Sequence, residues 1–480
     1  MTLHDYQIEH IEQVQTGFKT VRSIMLQMPT GTGKTHVFCE IAKTFCGNEG
    51  KRVLILAHRN ELISQIQERL IKFGFNAGII KSGHKTDDSR QVQIASVQTL
   101  RKRNKILFLN NISLIIVDEA HHTPSKTYLE ILDTYQKEHT KLLGVTATPI
   151  RLDGKGFEKI FDKLICSYPF KWFVENNFLC PIKHYASNVI KLENVSLVKN
   201  REGYMEYDEK QTEKYYLNET VMSDIIESYK NYGENKKSVV FAITIKHAEE
   251  IEKRFIEAGY KATLISSLTN SKERKSKVEK FKKGEIQILV NVDIFSEGFD
   301  CPDIELVQIA KPTKSLVKYL QMIGRVTRTY ENKQYAMILD NSCLWQDHGL
   351  VSNERVWTLN GCDVIENKFD DLFFTDGTNG EEAYKKKIKE LEHVDMIEVD
   401  NIGIADELVF TKRRLREVCN EYKISINSLL VYLEEIQFPI IEHLYGLNNM
   451  KLELKKISVK LYEIIDNKFS SNKGLDNIEL

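Results

Sequence analysis

A phosphate-binding loop is the feature that most constrains how this chain can fold. The segment MPTGTGKT at residues 28–35 follows an apolar run and precedes an amphipathic stretch, which is the strand–loop–helix context that such a loop requires. Its glycines let backbone N–H groups turn inward around phosphates, its lysine reaches the β- and γ-phosphates, and its last hydroxyl binds Mg²⁺. Met28 stands where the eight-residue pattern has glycine. We expect a bound nucleotide to contact Gly31, Thr32, Gly33, Lys34 and Thr35.

Two adjacent carboxylates follow another apolar run. The sequence ISLIIV at residues 112–117 predicts a buried strand, and Asp118 and Glu119 come directly after it. Carboxyl ends of parallel strands meet at one edge of a sheet, so both side chains are expected beside the phosphate loop. Asp118 would hold Mg²⁺, alongside Thr35, while Glu119 would position and deprotonate an attacking water.

A third segment, QMIGRVTR at residues 321–328, contains two arginines. Because Arg325 and Arg328 are three residues apart, we expect them to share one face of a helix. Guanidinium groups suit the negative charge that develops on a phosphoryl group during transfer. Together with Gln321, this segment predicts that two distant parts of the chain meet to hydrolyse a nucleotide.

Composition indicates a globular intracellular protein. The 480 residues allow about three domains, hydrophobic residues make up 42% of the chain, and no long apolar run or apolar N-terminal signal is present. The eight cysteines are scattered without a CxxC pair, which favours reduced core residues over a zinc site or disulfides. From the lack of long apolar runs we expect no membrane association and a cytoplasmic location. The abundance of Lys, Ile and Asn indicates an AT-rich bacterial or phage genome, so we expect a bacterial cell or a phage-infected host.

Net charge is divided unevenly along the chain. Residues 346–480 contain 17 Lys/Arg and 26 Asp/Glu, whereas the preceding residues contain 50 and 42, a net of +8. A mildly basic body suits phosphate binding, although ordinary solvated surface explains the charge nearly as well.

Short apolar runs alternate with amphipathic stretches, which predicts an α/β fold with parallel sheets. We expect a first α/β domain at 1–180, a connector at 181–216, a second α/β domain at 217–345 and a mainly helical accessory domain at 346–480. A helix is predicted at 61–73. Predicted strands of the first domain are 23–28, 52–57, 91–95, 113–117 and 142–146. Those of the second are 238–242, 262–265, 286–291, 306–309 and 336–339, and helices follow at 385–392, 412–422, 426–435 and 451–467.

These motifs resemble those of superfamily 2 helicases with the DEAH spelling, and they look closest to the XPB-like and RadD-like branch. Other segments resemble family motifs in the same order, over roughly residues 3–345. They are the adenine-reading glutamine element at 6–7, motif Ia at 56–62, motif Ib at 96–99, motif III at 146–149 and motif V at 291–300.

The resemblance implies two tandem RecA-like domains with ATP and Mg²⁺ between them and a nucleic-acid strand across both. It adds Gln7, Gly298 and Asp300 to the nucleotide site. It implies that His121, Thr146 and Thr148, with Gln321, couple this site to domain movement. Candidate contacts to a nucleic-acid backbone are Arg59, Ser96, Gln98, Thr99, Thr244 and Asn291. For each of these six, a helix-capping or surface role is an equal alternative.

The resemblance ends near residue 346. The cysteine-rich zinc element expected of RadD-like proteins is absent, and XPB-like accessory domains are not recognisable. The stretch 415–433 loosely resembles a helix-turn-helix, with basic residues at Lys412, Arg413, Arg414 and Arg416. A DNA-contacting module is one interpretation, and a small helical bundle packed on the core is the favoured one.

The sequence therefore predicts an ATP-dependent DNA helicase or translocase acting in replication, recombination or repair. Two alternatives stay open at this point. One is an RNA-dependent ATPase or helicase. The other is a nucleotide-switched nucleic-acid clamp in a defence or restriction complex.

Overall fold

Two parallel sheets dominate the computed structural model of the chain. It describes residues 3–46, 51–103, 109–151, 156–187, 192, 195–200, 204–295, 301–364 and 372–374. The helices predicted beyond residue 385 and the helix-turn-helix-like stretch lie outside these ranges.

The first sheet has seven strands, all paired in parallel. Its strands are β1 (Ser23–Gln27), β2 (Arg52–Ala57), β3 (Gly78–Ile80), β4 (Val92–Ser96), β5 (Ile112–Asp118), β6 (Lys141–Thr146) and β7 (Lys163–Cys166). Their spatial order is β3-β4-β2-β5-β6-β1-β7. The central strands are buried along their whole length, because helices cover both faces of a parallel sheet.

The second sheet also has seven parallel strands. Its first strand is β8 (Ile182–Ala186). A separate hairpin follows, made of β9 (Leu197–Lys199) and β10 (Met205–Tyr207). The sheet continues with β11 (Ser238–Ala242), β12 (Ala262–Ile265), β13 (Ile288–Asn291), β14 (Leu306–Ala310) and β15 (Ala336–Asp340). A small two-stranded sheet follows, made of β16 (Arg355–Thr358) and β17 (Gly361–Val364), and β18 (Leu372–Phe374) completes the large sheet. The spatial order is β12-β13-β11-β14-β15-β8-β18.

Helices flank each sheet. Those of the first domain are α1 (Asp5–Gly17), α2 (Lys34–Cys46), α3 (Asn60–Lys72), α4 (Val97–Arg103), α5 (Lys126–Tyr135) and α6 (Phe170–Glu175). Those of the second are α7 (Glu209–Tyr216), α8 (Glu219–Ser228), α9 (Ile245–Glu257), α10 (Ser271–Lys282), α11 (Leu316–Ile323) and α12 (Leu344–His348). Each sheet carries an apolar cluster on either face, so each domain has its own core.

The predicted α/β architecture is confirmed, and the predicted strands occur with bounds that differ by at most two residues. Two features were not resolved by the predicted domain bounds, which stay predictions. Ile182–Ala186, inside the predicted connector, pairs with β15 and belongs to the second sheet. Strand structure also continues past residue 345, since three short strands lie between Arg355 and Phe374. These strands were not predicted because edge and hairpin strands bury little surface and therefore show only weak apolar alternation in the sequence.

Among the described helices, none combines the length and apolar character needed to cross a bilayer.

Candidate active site

The phosphate loop connects β1 to α2. Gly31 and Gly33 have φ angles of +93° and +84°, a left-handed conformation that glycine adopts without steric cost. A Cβ atom on Gly33 would lie 2.3 Å from Gln7 Nε2. This glycine is therefore required both by its backbone angle and by the side chain packed against it.

Met28 departs from the usual loop pattern because its position lies in the core. Its side chain is fully buried in the first domain's apolar cluster, and its N–H donates to Thr146 O at 3.0 Å. The backbone at Met28 continues the β1–β6 pairing, so its side chain packs in the core. The turn around the phosphates begins later, at Gly31 and Gly33.

The carboxylates lie where the strand order predicts them. β5 pairs with β6, and β6 pairs with β1, so Asp118 ends two strands away from the phosphate loop on the same edge. Asp118 is 5% exposed and accepts a hydrogen bond from Glu119 N at 3.0 Å. Glu119 has φ +52°, an uncommon conformation for glutamate that directs the chain away from the strand.

Lys34 is the point where the charged groups of the site converge. Burial lowers its pKa below the ordinary value, while the carboxylates of Glu119 and Asp118 act in the opposite direction. Arg325 and Arg328 lower it further. The Lys34 ammonium group also donates to Met28 O at 3.4 Å. The structure thus brings residues from all three predicted segments into electrostatic contact.

A series of close polar contacts runs from Glu119 into motif III. His121 Nδ1 lies 3.4 Å from Glu119 Oε2 and 3.1 Å from Thr146 Oγ1. The Thr146 hydroxyl donates to Thr148 O at 3.2 Å and accepts from Thr148 N at 3.1 Å. Three of the four predicted coupling residues are therefore buried neighbours, and one of them, His121, lies beside the predicted base.

The arginine segment differs from the expectation of one shared helix face, which was wrong. α11 ends at Ile323, Gly324 caps it, and Arg325 lies in the following turn. Arg328 instead forms an isolated antiparallel bridge with Leu179. The main-chain carbonyl of Gln321, itself buried, accepts from Arg325 Nε at 3.2 Å.

The arginine segment packs directly on the phosphate loop. A Cβ atom on Gly324 would lie 2.5 Å from Thr30 Cβ, and one on Gly31 would lie 3.4 Å from Arg328 Cγ. The same Gly31 position is 3.0 Å from Leu179 Cδ2. Gly31 in the phosphate loop therefore contacts both Leu179 and an arginine of the second domain.

The glutamine element sits behind the loop. Gln7 is buried at the start of α1, and its Nε2 donates to Thr32 O at 3.2 Å. The Tyr6 hydroxyl donates to the same oxygen at 2.8 Å, and burial raises the pKa of Tyr6 to about 12. Tyr6 remains a hydrogen-bond donor at neutral pH, and the contact of Gln7 with adenine stays a prediction.

The predicted nucleic-acid contacts in the first domain lie near strand ends. Ser96 ends β4, and its hydroxyl donates to Oε1 of the exposed Gln98 at 3.1 Å; Thr99 is half-buried. Arg59 Nη1 donates to Ile294 O at 3.1 Å, across the cleft in the second domain.

The predicted contacts in the second domain have internal roles in the described conformation. The Thr244 hydroxyl caps α9 by accepting from His247 N at 3.2 Å, and it donates to Glu213. Asn291 is fully buried and its Nδ2 donates to Val240 O at 3.0 Å. Gly298 and Asp300 lie outside the described residues. All of these assignments stay predictions.

Sequence reasoning missed Leu179, Cys180 and Lys333, which surround the arginine segment. Cys180 N donates to Thr327 O at 2.8 Å, and the Lys333 ammonium group donates to Arg328 O at 2.9 Å. No local pattern distinguishes these residues, because their contacts depend on how the segment between the two sheets returns to the cleft.

Gly33→Ala is expected to destabilise the protein and weaken ATP binding, because a Cβ atom would collide with Gln7. Gly74 offers a matched control, since its φ is +82° and a Cβ there would meet nothing within 4 Å. Gly74→Ala should cost about 1 kcal/mol of unfolding free energy, and Gly33→Ala about 2–4 kcal/mol. Equal losses in denaturant titrations would show that only the backbone angle matters.

Comparisons with known proteins agree with this geometry. Residues 1–151 match the family model described as the type III restriction enzyme, res subunit, and residues 219–330 match the helicase conserved C-terminal domain. The chain is similar to a 51.5 kDa protein of a Lactococcus phage (isolate 7-9), with 33% identity over 333 residues that cover 69% of this chain and 68% of the phage protein.

The chain is also similar to the DNA 3'-5' translocase XPB2 of Sulfurisphaera tokodaii, with 28% identity over 372 residues. The aligned region covers 68% of this chain and 78% of the translocase. It spans 55% and 57% of the length of two yeast relatives.

A solved structure shows a related fold. The ATP-dependent type ISP restriction-modification enzyme LlaBIII bound to DNA has a TM-score of 0.54 at 17% identity, covering 71% of this chain and 28% of that one. The two parallel sheets are thus RecA-like domains, as predicted. With the two family matches and the phage relative, the chain belongs to superfamily 2 of the helicases and is an ATP-hydrolysing enzyme of that class.

Proposed function

We propose that this protein is an ATP-driven DNA translocase or helicase of the XPB-like branch. The observation that carries the proposal is the contact between the arginine segment of the second domain and the phosphate loop of the first, through Gly324 on Thr30 and Arg328 beside Gly31. A nucleotide bound there would touch both domains. Its binding and hydrolysis would then open and close the cleft and shift the grip on a strand.

In this proposal Glu119 accepts the proton of the attacking water, because it lies at the edge of the sheet beside Lys34. Lys34 binds the β- and γ-phosphates. Arg325 and Arg328 stabilise the charge that develops on the transferring phosphoryl group. His121 contacts both Glu119 and Thr146, so a movement of Glu119 would be transmitted through His121 to Thr146 and Thr148.

Thr35 and Asp118 fit a site for Mg²⁺. A hydroxyl and a carboxylate are the hard oxygen donors that this ion prefers, and the influence of Asp118 on Lys34 indicates that its carboxylate faces the phosphate loop. When bound, the ion would neutralise part of the phosphate charge.

DNA is the proposed track. The match to a restriction-enzyme family model and the similarity to a DNA translocase support it. The exposed Gln98 with Ser96 and Thr99, and Arg59 at the cleft, offer polar groups for phosphates without reading bases. Thr244 and Asn291 would contribute through the backbone near them, since their side chains are already engaged.

ATP turnover is expected to rise most when DNA is added. The rate would be measured with single-stranded DNA, forked duplex DNA, RNA of the same sequence, or no nucleic acid. Because the protein would bind DNA mainly through its phosphates, the stimulation should weaken as the salt concentration rises. Stimulation by RNA alone would contradict the proposal and favour an RNA-dependent ATPase.

A motor in a restriction or defence complex is a second candidate, favoured by the restriction-enzyme family match. The two candidates differ in strand separation. Displacement of a labelled strand from a fork supports a helicase in replication, recombination or repair. Displacement of a third strand from a triplex without fork opening supports a duplex-translocating motor of a restriction or defence complex, and ATP turnover with neither indicates a nucleotide-switched clamp.

A further inference from the structure

Three successive carbonyl groups around Arg328 are each held by residues outside the arginine segment. The Lys333 ammonium group donates to Val326 O and to Arg328 O, the latter at 2.9 Å. Cys180 N donates to the intervening Thr327 O at 2.8 Å. The Cys180 thiol adds a contact to Arg328 O at 3.3 Å.

These contacts matter because α11 has already ended at Ile323. Carbonyl groups in the turn beyond a helix belong to no helical ladder and, where they are buried, need other donors. A positive charge beside such carbonyls is favourable. Lys333 therefore supplies a charged donor to two of these carbonyls.

The held backbone determines where the Arg328 side chain begins. Its Cγ lies 3.4 Å from the Cβ position of Gly31, and its charge is felt at Lys34. A small shift of the backbone at 326–328 would move the guanidinium group relative to the phosphate loop. Misplacement of a reacting group by about 1 Å can cost about 100-fold in rate.

We propose that Lys333 is a positioning residue for ATP hydrolysis, acting with the backbone of Cys180 to fix Arg328 against the phosphate loop. This inference rests on the proposed role of Arg328. It adds a residue that lies outside the recognised motifs, in the loop between the arginine segment and β15.

The charge state of Lys333 offers a specific readout. Burial, against the opposing effect of Cys180, Glu305 and Asp303 and with a contribution from Arg328, lowers the pKa of Lys333 to about 8. The group is charged at pH 7 and becomes neutral as the pH rises through about 8. A neutral amine makes weaker hydrogen bonds to the carbonyls than an ammonium group does, so kcat should fall over that range.

Lys333→Met is expected to lower kcat about 10- to 100-fold with KM for ATP changed less than about twofold, measured at saturating DNA. Lys333→Arg should restore most of the rate at pH 7, because a guanidinium group also donates to carbonyls. It should also remove the decline above pH 8, because arginine stays charged. Lys253→Met, an exposed lysine of α9, is the matched control and should behave as wild type.

Three results would overturn the inference: an unchanged kcat in Lys333→Met, a wild-type kcat that is constant from pH 7 to 9, or a decline that persists in Lys333→Arg. If Lys333→Met fails to fold, the pH profiles of the wild type and Lys333→Arg decide. Arg328→Ala separates the two levels. If that variant is active, the proposed arginine role fails; if it is inactive while Lys333→Met is normal, only the positioning role fails.

Discussion

Glu119→Gln is expected to reduce ATP turnover by about 10²–10⁴-fold while ATP binding is retained. The amide has the size of the carboxylate, so it keeps the packing and can still contact His121 Nδ1, which lies 3.4 Å from Glu119 Oε2. It cannot accept a proton from water at neutral pH. The loss should therefore appear in kcat, measured as phosphate release at saturating ATP and DNA.

Retained binding is the second half of this expectation. Glu119 carries a negative charge close to Lys34, and its neutralisation removes repulsion between that charge and the phosphates of the nucleotide. Nucleotide affinity, measured by calorimetry with a non-hydrolysable ATP analogue, should stay equal or improve. Glu138→Gln, an exposed glutamate of the first domain, is the matched control. Normal turnover in Glu119→Gln would assign the base elsewhere.

Arg328→Ala is expected to lower kcat by about 10³-fold or more, as removal of a phosphoryl-stabilising arginine does in other nucleotide hydrolases. The side chain emerges beside Gly31, in the phosphate loop of the other domain. Its charge is needed most when the phosphoryl group transfers. Binding of ATP should weaken far less than turnover, since Lys34 and the loop backbone remain.

Arg328→Lys should recover little of the lost rate, because an ammonium group cannot reproduce the planar, paired donors of guanidinium. Arg90→Ala gives a control in which an exposed arginine loses its ion pair with Asp87, 2.8 Å away. Single-turnover measurements would separate chemistry from product release. A variant with normal single-turnover rates would exclude Arg328 from the chemical step.

Much of the site was predictable because its residues lie at fixed points of a regular fold. A phosphate loop after β1 and Asp118 at the end of β5 share one sheet edge whenever the strands are parallel. Gly31 and Gly33 predicted the left-handed backbone conformation of the loop. The strand bounds were also predictable from the sequence, since buried parallel strands are continuous apolar runs.

Two details of the structure were not predicted. Arg325 and Arg328 were expected on one helix face, and Gly324 ends that helix before either is reached. Ile182–Ala186 was placed in a connector, and it pairs with β15 about 150 residues later. Gly324 marks the helix end locally, whereas the pairing of Arg328 with Leu179 and of Ile182–Ala186 with β15 joins residues that are distant in sequence.

Local sequence thus specified the motifs, the two-domain α/β architecture and the superfamily, because loop chemistry and strand burial leave their pattern in adjacent residues. Long-range packing alone established that Arg328 meets Gly31 across the cleft, that His121 joins Glu119 to Thr146, and that Lys333 holds the arginine segment. The physical reason is that hydrogen bonds between distant segments depend on how the chain returns to the cleft, and neither spacing nor composition records that path.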